Sequence, residues 1–178
     1  MCGSTESRVA LVTGATRGIG KAIAQELARA GHTVIGTATS DAGAETITSH
    51  LSEWGGVGMR LDVSDSEAVK AAIAQIAEAH GAPTILVNNA GITRDNLMMR
   101  MKDEEWADVI GTNLSPLFTV SKACLRGMTK ARWGRIINIS SVVGQIGNPG
   151  QANYAAAKGV CSECLWRTPR SSENARSR

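Results

Sequence analysis

Residues 8–20 read RVALVTGATRGIG, and this stretch decides the fold. Arg8–Thr13 is a short apolar run that ends at a glycine, the pattern of a strand buried on both faces. Behind it Ile19, Ala22, Ile23, Leu27 and Ala30 recur at helical spacing until Gly31 closes the helix. Between the two lies the turn Thr13-Gly14-Ala15-Thr16-Arg17-Gly18-Ile19-Gly20. Gly14 permits a sharp exit from the strand, Gly18 lets the backbone approach a pyrophosphate, and Gly20 lets the helix lie close to the sheet. The amides that open the helix would face the anion, reinforced by the helix dipole. A glycine triplet alone is weak, but inside a strand–turn–helix unit it points to a dinucleotide. Gly14, Thr16, Arg17, Gly18, Ile19 and Gly20 are therefore the expected cofactor turn.

Working outward, strands are predicted at 33–37, 57–61, 84–87 and 135–140, and helices at 44–54, 65–80 and 103–130, with a further helix opening near Gln151. Strand and helix alternate, which implies an α/β fold: a Rossmann-like, doubly wound parallel sheet with right-handed crossovers. Ligands in such sheets bind beyond the carboxyl ends of the strands. The helix at 103–130 carries Trp106, Val109, Ile110, Leu114, Leu117, Phe118, Val120 and Leu125, a stripe too wide for one buried face. It reads equally well as a central core helix or as a subunit interface.

The chain has 178 residues, enough for one domain with a real core and short for two. Its net charge is +3, but four arginines against two glutamates place +2 of that in the last twenty residues. The patterned part is nearly neutral, so no nucleic-acid partner is expected. No apolar stretch suggests a secretory leader or a membrane span. Four cysteines make no disulfide framework for a domain of this size, which suits a reduced, cytoplasmic protein.

The end of the second strand selects the dinucleotide. An acid there would hold the ribose 2′-hydroxyl of NAD. The chain instead has Thr37-Ala38-Thr39-Ser40, and Arg17 could reach a 2′-phosphate, so NADP(H) is the expected cofactor. Asp62 and Val63, after the third strand, could flank the adenine, although an aspartate there could equally cap a helix. For chemistry, the candidates are Asn113, Ser141, Tyr154 and Lys158. Lys158 lies one helical turn after Tyr154 and on the same face, where its charge stabilises the phenolate. In a reduction Tyr154 would protonate a carbonyl oxygen, and Ser141 would hold that oxygen by a hydrogen bond.

Together TGATRGIG, the NNAG turn (Asn88, Asn89, Ala90, Gly91), Asn113, Ser141 and Tyr154-Ala-Ala-Ala-Lys158 resemble the short-chain dehydrogenase/reductases. Within that family, NNAGITRDNLMMRMKDEEW, GRIINISSVVG and GNPGQANYAAAK look most like the bacterial β-ketoacyl-acyl-carrier-protein reductases. The resemblance implies NADPH-dependent reduction of a 3-oxoacyl group on acyl carrier protein, in fatty-acid synthesis. It implies that Asn89, Ala90 and Gly91 support the cofactor site and that Asn113 joins a proton relay with Lys158. It also implies that Lys158, beside Tyr154, binds the nicotinamide ribose, and that the enzyme is a homo-oligomer, usually a tetramer. Lys130-Ala-Arg132 resembles a docking region for the acidic carrier, or is simply a solvated helix end. The competing readings are a reductase for another ketone and a non-catalytic dinucleotide-binding or subunit-interacting fragment.

The resemblance ends near Lys158. From there the chain reads GVCSECLWRTPRSSENARSR, with no alternation and a helix-breaking Pro169. The expectation is a catalytic domain over 1–158 that lacks its C-terminal strands, and an irregular tail over 159–178 that reads like a shifted coding frame. A chain so built should be impaired in turnover. Cys161-x-x-Cys164 has no second ligand pair, so no metal is expected.

Overall fold

The computed structural model describes residues 6–163. Five strands, β1 (Val9–Val12), β2 (Thr33–Ala38), β3 (Val57–Arg60), β4 (Ile85–Asn88) and β5 (Arg135–Asn138), form one sheet in the order β3-β2-β1-β4-β5. Every pairing is parallel. The chain adds strands in one direction to β3, then returns past β1 to add β4. The switch point therefore falls between β1 and β4, where an α/β sheet opens a crevice.

Alternation along the strands explains why both faces are covered. Leu11, Ile35 and Leu86 project into one core with Val69, Ile73 and Ile76 of helix α3 (Ser66–Ala79) and with Val120, Cys124 and Met128 of α5 (Ser115–Ala131). Their neighbours Val12, Val34 and Val87 project the other way, toward Ala24 and Ala28 of α1 (Gly18–Arg29) and Ile47 and Leu51 of α2 (Asp41–Leu51). Apolar side chains on both faces are what a parallel sheet between two helical layers requires. The expected doubly wound fold is present. Among the described residues, no helix is long and apolar enough to cross a membrane.

Three departures from the sequence reading have local causes. The helix expected over 103–130 is two helices, α4 (Asp103–Asn113) and α5, with Leu114 between them. Pro116 stands in the first turn of α5; it has no N–H to offer the preceding turn, and its ring collides with it, so one continuous helix cannot form. A four-residue helix, α6 (Val143–Ile146), lies in the segment after β5, which carried no periodic signal. Finally, α7 (Ala152–Glu163) runs on past Lys158 into residues assigned to the irregular tail. Cys161 there is only 2% exposed, so packing holds the extra turn. The rest of that tail, 164–178, with Cys164, lies outside the described residues.

Candidate functional site

The switch point is built by two turns that hold each other. Thr13, at the end of β1, is nearly fully buried, and its Oγ1 accepts the backbone N–H groups of Asn89 and Ala90, both at 3.0 Å. In return the Asn89 amide donates to the carbonyls of Thr13 (3.0 Å) and Gly14 (2.9 Å). Gly14 has φ +67°, and a Cβ on it would press the backbone of Ala90 at 2.9 Å. The glycine turn and the NNAG turn are thus one rigid unit, which explains why both motifs occur in one chain.

The mouth of α1 is open. Arg17, the residue just before it, is extended, no side chain caps the helix, and a Cβ on Gly18 (φ +58°) would meet nothing within 4 Å. Unsatisfied amides at a helix start with free space in front of them fit the pyrophosphate of a dinucleotide. At the end of β2 Thr37 is buried, and its carbonyl accepts Ala15 N–H at 3.0 Å, so it supports the turn through its backbone. Ala38 is also buried, whereas Thr39 and Ser40 are exposed, and Ser40 caps α2 by accepting Gly43 N–H at 3.1 Å.

Asp62 does not cap α3. Its carboxylate accepts from the backbone N–H (2.9 Å) and hydroxyl (2.6 Å) of Ser64, which hold the acid below its usual range. Asp65 is the cap, accepting from Glu67 and Ala68. Asp62 stays exposed, while Val63 is buried in the core.

A cleft of about 560 Å³ opens beside the switch point. Arg17, Ile19, Asn89 and Gly91 line its cofactor side, and Ser141, Tyr154 and Lys158 line the other. Ser141 follows β5, and its Oγ accepts Val143 N–H at 3.2 Å as the chain turns into α6. Lys158 is 5% exposed, lies 5.8 Å from the Tyr154 ring centroid, and donates from Nζ to the Ile139 carbonyl at 2.8 Å. Burial pulls its ammonium below the ordinary lysine value, and the neighbouring Cys161 thiol opposes that shift. Asn113 sits behind the cleft wall, 1% exposed. Its carboxamide accepts Ile92 N–H (2.7 Å) and donates to Ile92 C=O (2.8 Å).

The structure therefore brings Arg17 and Ile19 of the glycine turn, Asn89 and Gly91 of the NNAG turn, Ser141, Tyr154 and Lys158 to line one cleft, while Gly14, Thr16, Gly18, Gly20 and Ala90 belong to the two turns without lining it. It sets Asn113 one layer behind and leaves Asp62, Val63 and Thr37 outside the cleft lining. Lys130 and Arg132 lie elsewhere. Arg132 ends α5 with φ 51°, just before β5, at the opposite end of that strand from Ser141. Sequence reasoning missed Ile92, Thr93, Arg94, Ile139 and Ser140 as cleft residues. Their signal was positional: each adjoins a motif at a strand end. Ser140 also ties β5 to α7, donating to the Lys158 carbonyl at 2.9 Å. Among the described residues, no group of His, Cys, Asp or Glu could hold a metal ion.

A parallel sheet with a glycine turn at its switch point and a Ser–Tyr–Lys set across the cleft is the architecture of the short chain dehydrogenases. Residues 8–165 match the short chain dehydrogenase family, and the chain belongs to it. It is 64% identical over 157 residues to the 3-oxoacyl-(acyl-carrier-protein) reductase FabG of Pseudomonas aeruginosa, covering 87% of this chain and 64% of that protein. The proteins of the same description from Vibrio harveyi and Escherichia coli are 61% and 59% identical over 153 residues. Those alignments cover 86% of this chain and 62% of each relative. The chain thus spans less than two thirds of the length of these relatives.

Proposed function

We propose that the chain carries the site of an NADPH-dependent 3-oxoacyl-acyl-carrier-protein reductase of fatty-acid synthesis, working in the cytoplasm as a homo-oligomer. The observation that carries this reading is the single cleft that joins the cofactor turn to Ser141, Tyr154 and Lys158. When bound, the nicotinamide dinucleotide supplies the hydride. Tyr154 gives its phenolic proton to the substrate carbonyl oxygen, and Ser141 donates a hydrogen bond to that oxygen as negative charge develops on it. Lys158, a buried cation beside the ring, stabilises the phenolate left behind. Asn113 and Lys158 then return a proton to Tyr154 from solvent. Arg17, with no acid over 37–40, favours the 2′-phosphate of NADPH. The similarity to carrier-protein reductases supports the 3-oxoacyl substrate.

The test is the reduction of an acetoacetyl thioester by the purified chain and by a chain extended to its relatives' length. Tyr154→Phe should lower turnover by ~10²–10⁴-fold and spare NADPH binding, because it removes only the general acid. A Tyr154→Phe protein that kept most of its rate would show that another group gives the proton.

A further inference from the structure

Asn153 is completely buried, yet it is polar and takes no part in lining the cleft. Its carboxamide is used at both ends. The Nδ2 group donates to the Arg94 carbonyl at 2.9 Å and to the Glu105 carbonyl at 3.2 Å, and Oδ1 accepts the backbone N–H of Tyr154 at 2.8 Å. Tyr154 is in the first turn of α7, where backbone N–H groups lack helical partners and must find others. Arg94 belongs to the cleft wall, and Glu105 to α4. One planar group thus joins three elements at the residue preceding the only tyrosine of the chain.

We infer that Asn153 is a positioning residue that sets the height of Tyr154 against the cleft wall. The inference rests on the reading of Tyr154 as the proton donor. The wall is itself fixed from behind, where Asn113 holds Ile92 by both its N–H and C=O, and Asn96 N–H, donating to Gly150 C=O at 2.9 Å, ties it to the residues that lead into α7. Gln151, just before the helix, adds a link from its Nε2 to the Asp95 carboxylate at 3.0 Å, and Asn153 is the link within the first turn of α7, bonded to Tyr154 itself. The geometry also accounts for the residue type. An aspartate keeps the acceptor but turns oxygen toward two carbonyls, glutamine sets its amide a methylene further out, and alanine frees all three groups. Misplacing a reacting group by about 1 Å can cost ~10²-fold in rate while binding survives.

Because Tyr154 is the only tyrosine, the 178-residue chain labelled with 3-fluorotyrosine gives one fluorine resonance that reports on this ring without substrate. Asn153→Ala and Asn153→Asp should displace or double that resonance. Ile47→Val, a core change on α2 beside the far strand β3, should leave it in place. Where reduction is measurable, kcat should fall ~10²-fold in the Asn153 variants, with KM and NADPH affinity held. Superimposable spectra for wild type and Asn153 variants would overturn the inference, as would an equal displacement by Ile47→Val. Failure of both Asn153 variants to fold would do so too, since the residue would then build the framework. A wild-type chain unable to reduce the thioester would count against the proposed function only, because the fluorine comparison needs no turnover.

Discussion

Gly18 and Gly20 show how single residues divide the work of the cofactor turn. A Cβ on Gly20 would collide with the carbonyl oxygen of Gly14 and with the Asn89 amide, the two groups that lock the switch point. A Cβ on Gly18 meets nothing, although φ +58° is unfavourable for alanine by roughly 1–2 kcal/mol. Gly20→Ala should therefore lower the melting temperature strongly, whereas Gly18→Ala should lower it by only a few degrees, about 2–4 °C per kcal/mol, but lose NADPH affinity, read by fluorescence titration. Equal effects of the two on melting would break the division. A second residue-scale effect is electrostatic. Burial pushes the Cys124 thiol up from 9.0 to about 12. The unfolded chain releases this proton first, so the stabilisation is complete below about pH 9 and is lost as pH rises toward 12. Lys158, whose value is lowered, acts with the opposite sign in the alkaline range, so the comparison must be made variant against wild type. The urea midpoint of Cys124→Ala should fall less steeply above about pH 9 than that of wild type; parallel curves would refute it. That Ser141, Tyr154 and Lys158 meet in one cleft was legible in the sequence because the chemistry proposed for them needs fixed types at fixed offsets. Asn153 was not, because its three partners lie on segments distant in sequence and meet only in the fold.

At the scale of elements, the end of β2 shows where the sequence reading needs its structure. The motif Thr37-Ala38-Thr39-Ser40 marks the position proposed to select the cofactor, but not which of the four side chains faces outward. Thr37 and Ala38 are buried, and Ala38 belongs to the core on the α1–α2 side of the sheet. Ala38→Asp would bury a carboxylate and damage the fold. Thr39 is the first exposed residue, so Thr39→Asp is the change that should accept ribose hydroxyls and repel a 2′-phosphate. Its ratio of NADPH to NADH affinity should move toward NADH with the melting temperature kept, and an unchanged ratio would place the selecting group elsewhere. The α4–α5 junction teaches the converse. Apolar periodicity runs through residues 103–130 without a pause, so the pattern alone hides the break. Pro116 was the visible signal, and its missing N–H outweighs the periodicity.

For the whole molecule, two of the faces that expose apolar side chains should behave differently in solution. One is the outer side of α4 and α5, where Trp106, Phe118 and Leu125 are 42%, 67% and 40% exposed. The inner side of α5 packs Leu117, Val120, Cys124 and Met128 into the core, so the two rival readings of this region describe opposite faces. A helical face of this kind can pair with its own copy about a two-fold axis, and such contacts close into finite oligomers. The second face is β5, the edge of the sheet among the described residues, with Ile137 45% exposed. A strand edge offers unpaired backbone groups as well as apolar side chains, and it can recruit further strands without closing. Phe118→Asp should therefore convert a discrete oligomer into a smaller discrete species with an unchanged melting temperature. Ile137→Lys should leave that oligomer intact and suppress concentration-dependent growth of larger particles. Size-exclusion chromatography with light scattering over a range of concentrations separates the two. If Ile137→Lys dissolved the discrete oligomer while Phe118→Asp left it whole, the assignment of the faces would have to be exchanged.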